Sequence, residues 1–405
     1  MKILLVHNRY QHQGGEDTVY ETERALLTRH GHGVVCCEFH NDEIKDYSAL
    51  QRLTLAGRTT WSAKSYRMLA RLVQQEKPDV VHFHNTLPLV SPSGYYAARR
   101  NGSAVVQTLH NYRLTCLNGL LLRDGRPCED CVGKKLALPG VRHTCYRDSY
   151  AASASVAAML ATHRARGTYH DAVDRYIALT PFARGKFVEA GLPAEKIVVK
   201  PNFLQDDPGR GPCDGGYALF VGRLSQEKGV AVMLDAWKHL DPRLPLKIVG
   251  DGLLAPTVAE GAGPDSGIEW LGRRPREDVI ALMQQAAFLV FPSICYEGLP
   301  MTIIEAYACG LPVIASRRGG MTDLVEDGRT GLHFAPDDPA DLAAQIHWWQ
   351  AHPEAHDAMR NAARETYEAH YTADQNYRQL IAVYEAACRA ISRKSPPKRM
   401  VAIDS

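Results

Sequence analysis

Two glutamates with seven residues between them, Glu297 and Glu305, are the first candidates for binding chemistry. A carboxylate can accept two hydrogen bonds from one vicinal diol, so the pair could hold two hydroxyl-bearing parts of one ligand. The turn between them consists of Gly298, Leu299 and Pro300. Because an apolar helical pattern starts after this turn, the backbone amides there could face a diphosphate at the helix N-terminus. The spacing alone equally allows an ordinary surface pair of glutamates.

The segment VGRLSQEKG offers positive charge directly after a predicted strand. Gly222 lets the backbone approach a ligand closely, and Arg223 and Lys228 supply two cations. Such cations suit a leaving diphosphate, whose negative charge grows as the bond to it breaks. An ordinary loop with solvated charges is the alternative interpretation.

Two further strands end in residues with binding potential. Gly14 and Gly15 follow the first strand but lack the GxGxxG spacing of a dinucleotide site, so they could admit a phosphate or an acceptor group, or form a plain turn. His110 ends the strand AVVQTLH, where a ligand could reach it, although most lone histidines are structural or exposed. His82 and His84 lie on one face of another strand and are expected to be packing residues.

Four of the ten cysteines follow the pattern C-x11-C-x2-C-x13-C, and they are Cys116, Cys128, Cys131 and Cys145. Four sulfurs, two of them in a C-x-x-C pair, could close a structural zinc site. Zinc would order residues 110–149, a segment with few regular patterns that is long for a loop inside a compact domain. Reduced thiols are the alternative, and an iron–sulfur cluster is a lesser one. The segment directly follows His110, so we expect it to overhang the cleft.

The elements that must position these residues alternate between apolar runs and helical patterns. The runs AAFLVFPS and PVIAS are predicted strands on either side of the glutamate pair, which places Glu297 in a loop and Glu305 on a helix. Open α/β sheets bind ligands outside the carboxyl ends of their strands. The alternation along the chain therefore predicts an α/β fold with parallel sheets and right-handed crossovers.

The chain is too long for one hydrophobic core, so we expect two doubly wound domains facing a cleft. Residues 201–216 are rich in Gly, Pro and Asp and are predicted to link them. The predicted domains are residues 1–200, which include the cysteine-rich segment, and residues 217–375. Residues 376–405 are predicted to form a C-terminal helix that could cross back to the first domain, followed by a frayed tail.

Composition excludes several classes of partner and location. The formal net charge of +2 gives no global field for nucleic acid. The apolar run before His7 is too short for a signal-peptide core, and no run approaches the ~18 apolar residues that span a bilayer. We therefore expect a cytoplasmic protein, in which the cysteines are not a disulfide framework.

Together these motifs resemble the retaining glycosyltransferases of family 4, which have the GT-B fold of two Rossmann-like domains. The resemblance covers nearly the whole chain and is strongest in EGLPMTIIEAYACGLPVIAS and GGMTDLVEDGRTGLHF. It implies a nucleoside-diphosphate-sugar donor, a saccharide acceptor bound by the first domain, transfer with retention of configuration, and no divalent metal for catalysis. One departure is Asp323, where the family more usually has Glu, and we expect little consequence.

The resemblance also implies roles for individual residues. Arg223 and Lys228 would bind the diphosphate, and Gly15 would approach the phosphates and the acceptor. Glu297 would contact the sugar, Glu305 the ribose, and His110 the carbon undergoing transfer.

Only a basic segment with interleaved aromatic residues gives information about the acceptor. Helix 61–75 and its surroundings carry Arg52, Arg58, Lys64, Arg67 and Arg71. Such a helix could lie on an anionic membrane surface, which would favour a polyprenyl-linked acceptor at the inner face of the membrane. A solvated face is the alternative. Two other functions remain open, namely transfer to a small soluble acceptor and non-catalytic nucleotide-sugar sensing, whereas the E-x7-E loop argues against an epimerase.

Overall fold

A computed structural model describes residues 1–10, 14–44, 54 and 57–394 of the chain. Its first half contains a six-stranded parallel sheet in the order β2-β1-β3-β4-β7-β8 and a separate two-stranded hairpin, β5-β6. In chain order the elements are β1 (Lys2–Arg9), α1 (Gly15–Arg29), β2 (Gly33–His40), α2 (Ala63–Glu76), β3 (Val80–Phe83), α3 (Ser93–Arg100), β4 (Ala104–Leu109), β5 (Leu122–Arg123), β6 (Arg126–Pro127), α4 (Leu138–Arg142), α5 (Tyr150–Ala165), α6 (Thr168–Asp171), β7 (Arg175–Ala178), α7 (Pro181–Glu189) and β8 (Ile197–Val199).

The second half forms another six-stranded parallel sheet, in the order β11-β10-β9-β12-β13-β14. Its elements are β9 (Ala218–Val221), α8 (Val230–Lys238), β10 (Leu246–Val249), α9 (Ala255–Gly261), β11 (Ile268–Gly272), α10 (Arg276–Gln285), β12 (Phe288–Phe291), α11 (Met301–Ala308), β13 (Val313–Ser316), α12 (Met321–Leu324), β14 (Gly331–Phe334), α13 (Pro339–Ala351), α14 (His356–His370) and α15 (Ala373–Lys394). Two parallel sheets covered by helices confirm the α/β class and the pair of Rossmann-like domains.

The strands form where the sequence has continuous apolar runs, because each sheet is covered on both faces. In β1 the four residues from Ile3 to Val6 are all fully buried, and β12 is buried from end to end. The chain leaves the first sheet at Val199 and enters the second at Ala218. Each sheet therefore has its own core on both faces, and the cleft lies between the two domains.

The last helix crosses back onto the first domain. Leu380, Val383, Tyr384 and Ala387 of α15 share one apolar cluster with residues of β1, β3, β4 and β7. This helix covers one face of the N-terminal sheet, so the first domain is completed by residues from the end of the chain. The predicted tail after Lys394 lies outside the described residues.

The cysteine-rich segment 110–149 has a core, contrary to the premise behind the zinc hypothesis. Besides the hairpin and α4 it consists of turns, yet Leu117, Leu121 and Val141 belong to the main apolar cluster of the first domain. Burial of these side chains orders the segment without requiring a metal.

Local interactions set where two helices start, and the basic helix starts later than predicted. Helix α1 begins at Gly15 with Gly14 as its N-cap, and the Asp17 carboxylate accepts the Gly14 N–H at 2.8 Å. The basic helix starts at Ala63 with Ser62 as its N-cap. Arg52, one of the predicted basic residues, lies outside the described part of the chain. Within that part, no helix is both long and apolar enough to span a bilayer.

Candidate functional site

A cleft of about 320 Å³ separates the carboxyl ends of the two sheets. In the second sheet the strand order reverses between β9 and β12, and the loops after these two strands line the cleft. Crevices at such switch points are where doubly wound sheets bind ligands. The cleft lining contains nine of the residues singled out in the sequence, namely Gly15, His110, Gly222, Arg223, Lys228, Glu297, Gly298, Leu299 and Pro300.

Glu297 and Lys228 form an ion pair on the second-domain wall. The Lys228 Nζ donates to Glu297 Oε1 at 2.7 Å, and the Ser293 hydroxyl donates to the same oxygen at 2.6 Å. Burial alone would raise the pKa of Glu297, but the Lys228 charge and these two hydrogen bonds outweigh it and lower that pKa. Burial likewise opposes the charge on Lys228, yet Glu297 raises the pKa of the ammonium. Both groups are therefore charged at neutral pH.

Arg223 is the second cation of the cleft and has much freer surroundings. Its side chain is 64% exposed, and its guanidinium lies 3.9 Å from the Glu227 carboxylate. It follows β9 directly, so the backbone places it at the switch point while the side chain extends into the opening. A planar guanidinium so placed can bind a phosphate through two hydrogen bonds.

Two glycines bring backbone to the cleft. A Cβ on Gly298 would lie 2.9 Å from the His110 carbonyl oxygen, so only glycine allows the two domains to approach at this point. Among the residues that the structure describes, which leave out 11–13, a Cβ on Gly15 would meet nothing within 4 Å. Since Gly15 lines the cleft, the space beside it is available to a ligand.

The start of α11 also lies at the cleft. Pro300 precedes this eight-residue helix, and Met301 and Thr302 of its first turn line the cleft. The first N–H groups of a helix have no partner within the helix, so they attract an anion. The helix therefore begins at the cleft, as the apolar pattern after Pro300 predicts.

His110 lies on the first-domain wall opposite these groups. Burial, followed by the neighbouring charges of His7 and His82, lowers the pKa of His110 to about 3. His110 Nε2 lies 3.0 Å from His84 Nδ1, so the ring is hydrogen-bonded from behind. At neutral pH His110 is an uncharged imidazole, which suits it to orienting a hydroxyl rather than to binding phosphate.

Glu305 is the one predicted donor-site residue that does not line the cleft. It lies on α11, and its Oε1 is 3.3 Å from the Arg276 Nε at the start of α10. Burial raises the pKa of Glu305, while Arg276 opposes the rise. A ligand would have to displace or share this ion pair to reach the carboxylate.

The four clustered cysteines lie outside the cleft lining. All four are free thiols, and burial, followed by Cys116 and Cys131, raises the pKa of Cys145 to about 11. Within the described chain, however, no three of their sulfurs lie within 4.8 Å of each other. The zinc site stays a prediction, and it would need the thiols to draw closer.

Four polar residues of the cleft were not predicted, namely Glu16, Asn202, Ser293 and Thr302. Asn202 is 4% exposed and its Oδ1 has no hydrogen-bond partner among the described residues, which marks it as an acceptor for a ligand. The position of Asn202 in the sequence PNF, just after the end of the first predicted domain, could have identified it. Ser293 ends the predicted strand AAFLVFPS, and Glu16 directly follows the Gly14–Gly15 pair, so each stood beside a feature already singled out.

The two walls are also joined directly. The Asp323 carboxylate on α12 accepts the backbone N–H of Phe182, in the first turn of α7, at 2.6 Å. Tyr112 and Glu297 make a second contact, from the hydroxyl to the backbone carbonyl, at 3.4 Å. Asp323 therefore holds the domains together at the cleft's edge.

Two models of known protein families match the two halves of this chain. The model described as Glycosyltransferase Family 4 matches residues 12–207, and the model described as Glycosyl transferases group 1 matches residues 210–366. Between them the two models cover both domains. The chain belongs to the family 4 glycosyltransferases with the GT-B fold.

Individual relatives match only part of the chain. An uncharacterized glycosyltransferase of Methanocaldococcus jannaschii is 38% identical over 33% of this chain and 38% of its own length. A D-rhamnosyltransferase of Pseudomonas aeruginosa is 34% identical over 39% of this chain and 42% of its own length. The chain thus matches less than half the length of these curated relatives.

Among solved structures, HepE of Anabaena in complex with UDP superposes with a TM-score of 0.69 at 19% identity, covering 95% of this chain and all of that one. Sucrose-phosphate synthase of Thermosynechococcus elongatus gives a TM-score of 0.67 at 17% identity, covering 97% and 100%. At these identities the likeness establishes the fold.

Proposed function

We propose that this protein transfers a hexose-type sugar from a nucleoside diphosphate sugar to a saccharide acceptor, with retention of anomeric configuration. The observation that carries the proposal is the Lys228–Glu297 pair facing Arg223 at the switch point of the second sheet, in a chain of this family. HepE is described in complex with UDP-glucose, which makes uridine donors the first to test.

The donor's diphosphate would lie against Arg223, Lys228 and the first turn of α11. These groups are two cations and a row of free N–H groups, so they can stabilise the charge that develops as the glycosidic bond breaks. The same groups supply the positive charge that a divalent metal provides in other enzymes. We therefore propose that the reaction proceeds without a metal.

Glu297 and Glu305 would bind different parts of the donor. Glu297 lies in the cleft with one oxygen bonded to Lys228 and Ser293, so its other oxygen is available to sugar hydroxyls. Glu305 would accept the ribose hydroxyls by sharing the carboxylate that now pairs with Arg276. His110 would lie beside the sugar from the opposite wall.

The acceptor is proposed to be lipid-linked, in the assembly of surface polysaccharide. Supporting this, α2 carries the exposed ammonium of Lys64, with its side chain 68% exposed, and the exposed side chain of Met68. Trp61, which precedes the helix, is also exposed. Basic and apolar groups side by side suit the interface of an anionic membrane.

The two alternative functions predict different experimental outcomes. Transfer to a small soluble acceptor would be independent of vesicles, whereas a lipid-linked acceptor requires the protein to bind them. A non-catalytic sensor would bind the donor without ever releasing nucleoside diphosphate.

The test starts with a panel of nucleotide sugars and a thermal-shift measurement, since a ligand of the folded state raises the melting temperature. The stabilising donor is then incubated with the protein, and release of nucleoside diphosphate is followed. Slow hydrolysis without acceptor excludes the sensor. No stabilisation by any nucleotide sugar would contradict the proposal.

A further inference from the structure

A buried row of polar side chains connects His110 to the interior of the first domain. From the cleft inward, His110 Nε2 lies 3.0 Å from His84 Nδ1, and His84 Nε2 lies 3.4 Å from Glu23 Oε2. The other oxygen, Glu23 Oε1, accepts from Lys200 Nζ at 2.8 Å. His84, Glu23 and Lys200 are each at most 2% exposed.

The crossing helix α15 holds the inner end of this row. Lys200 Nζ lies 3.2 Å from Asn376 Oδ1, and the Asn376 amide donates to the Pro201 carbonyl at 2.8 Å. Lys200 follows β8 directly, while Glu23 lies on α1 and His84 follows β3. Four separate elements therefore contribute to a set of buried polar groups, which is costly to desolvate unless every member is paired.

The same region contains a group with metal-like spacing, but its chemistry excludes a metal. Ligand atoms of Glu23, His82 and His84 lie within 4.8 Å of one another. Both nitrogens of His82 already have partners, with Nδ1 2.8 Å from the Tyr384 hydroxyl and Nε2 2.8 Å from the Thr108 hydroxyl. The Lys200 ammonium already supplies the cation at Glu23, so a metal would bury a second positive charge there.

The position of the ring proton on His84 follows from the neighbouring groups that can only accept a hydrogen bond. Glu23 is paired with Lys200, so its second oxygen can only accept a hydrogen bond. Burial, aided by the nearby Lys200 ammonium, holds the pKa of His84 well below its ordinary value, so this ring is neutral with a single proton. Within the described structure, neither His84 Nε2 nor Glu23 Oε2 has a hydrogen-bond partner, and the two atoms lie 3.4 Å apart, while His82 Nδ1 lies 3.7 Å from the same oxygen. A bare His84 Nε2 would set its lone pair against the carboxylate, whereas a protonated Nε2 sets an N–H there. The single proton of His84 therefore belongs on Nε2, pointing at Glu23.

This assignment determines the state of His110. With its proton on Nε2, His84 presents a lone pair at Nδ1, so His110 must donate from its own Nε2. The neutral His110 ring then has no proton left for Nδ1, which has no protein partner within the described residues. His110 lines the cleft, so this nitrogen is the one available to a ligand.

We infer that His84, Glu23 and Lys200 are positioning residues that fix the tautomer of His110, so that its Nδ1 meets the cleft as a hydrogen-bond acceptor. Under the proposed function, on which this last step rests, the partner is a hydroxyl of the donor or acceptor sugar. Any hydroxyl can donate to a bare imidazole nitrogen, whereas the opposite tautomer would require a ligand acceptor at that point. The tautomer itself can be measured with no ligand present.

The decisive variant is Glu23→Gln, which keeps the shape of the side chain but replaces one hydrogen-bond-accepting oxygen with a donating NH₂ group. Lys200 donates, so it will retain the amide oxygen, and the amide NH₂ will then face His84 Nε2. That NH₂ donates, so the His84 proton moves to Nδ1 and the His110 proton moves to its own Nδ1. The variant should present a donor to the cleft where the wild-type protein presents an acceptor.

The measurement is ¹⁵N NMR of the full chain labelled at histidine, in which protonated and bare ring nitrogens give well separated signals. The His110 signals are assigned by their loss in His110→Gln. We expect the proton on Nε2 in the wild-type protein and on Nδ1 in Glu23→Gln. A wild-type His110 protonated on Nδ1 overturns the inference, even if Glu23→Gln does not fold.

Kinetics test whether the tautomer matters for transfer. In metal enzymes, hydrogen bonds that orient a functional histidine are worth about 10–100-fold. We expect a fall of that order in kcat for Glu23→Gln and for His84→Gln, with the KM for the donor little changed. The control is His82→Gln, since His82 is as buried and lies on β3, but its ring hydrogen-bonds to Tyr384 and Thr108 and not to His110. Equal losses in this control would show a merely structural role.

The two levels of failure are distinguishable. If no nucleotide sugar is turned over, the proposed function fails while the NMR result stands. If transfer occurs and His110 has the opposite tautomer, the proposed function stands and this inference fails.

Discussion

At the scale of single residues, the site depends on a buried carboxylate held charged by one ammonium. Lys228 and Ser293 both donate to Glu297 Oε1, so the pair is fixed before any ligand arrives. A site organised in advance spends less free energy on ordering when it binds.

Replacing Lys228 by Met should shift the acid limb of the activity profile to higher pH. In the native protein Lys228 lowers the pKa of Glu297, so the stabilisation from the pair is present above the ordinary carboxyl pKa and is lost as pH falls through the lowered value. Without Lys228, burial dominates and raises that pKa. The pH dependence of kcat/KM, measured for both proteins, checks this. An unshifted acid limb would contradict the pairing.

Arg223→Ala should reduce turnover more than donor affinity. The exposed guanidinium makes its strongest interaction when the diphosphate gains charge in the transition state, so its loss should lower kcat by roughly 100-fold, as for a lost oxyanion donor. Steady-state kinetics together with titration of the nucleoside diphosphate separate the two effects. Wild-type turnover would exclude this role.

Gly15→Ala should leave stability intact and weaken ligand binding. The added methyl meets no protein atom within 4 Å but enters the cleft. Gly185→Ala is the matched control, since it also meets nothing within 4 Å and lies on α7 away from the cleft lining. Both variants should melt at or above the wild-type temperature. Tight donor and acceptor binding by Gly15→Ala would contradict the assignment.

At the scale of elements, much of the arrangement could be predicted from the sequence. Continuous apolar runs identified the parallel strands, and ligand-binding residues lie at strand ends in any doubly wound sheet, which is why Gly15, His110 and Arg223 were found. What could not be predicted depends on partners distant in sequence. The Arg276 that pairs with Glu305 lies on another helix, and the Glu23 that faces His84 lies on another layer.

The cysteine-rich segment shows the same limit. Its spacing indicated a metal, but spacing does not reveal which of its apolar side chains enter the core. Metal analysis of the pure protein distinguishes a zinc site from an iron–sulfur cluster and from reduced thiols. We expect about one zinc per chain, lost in the double variant Cys128→Ser and Cys131→Ser. Absence of zinc and iron from protein purified without chelators would remove the site.

Helix α2 is the element that should bind the membrane. Replacing Lys64, Arg67 and Arg71 by Gln should weaken sedimentation with anionic vesicles, because each basic residue near such a surface contributes about 1 kcal/mol. The matched control replaces Lys238, Arg329 and Arg389, three exposed basic side chains elsewhere on the molecule. Equal loss in both triple variants would indicate a general charge effect, and no loss in the α2 variant would contradict the membrane role.

At the scale of the whole molecule, the two domains and the crossing helix act as one unit. Asp323 bonds to Phe182 across the edge of the cleft, and α15 contributes both apolar packing and the Asn376 that holds Lys200. The chemistry therefore lies between two sheets that the chain joins twice, once through residues 200–217 and once through α15. Under the proposed function, this geometry would bring a donor on one wall to an acceptor on the other.

The most direct test of the account is ¹H NMR of the reaction with the stabilising nucleotide sugar, a saccharide acceptor and excess EDTA. The account predicts release of nucleoside diphosphate and a product whose anomeric coupling matches that of the donor. An inverted product, a strict requirement for divalent metal, or tight donor binding without any release of nucleoside diphosphate would contradict it.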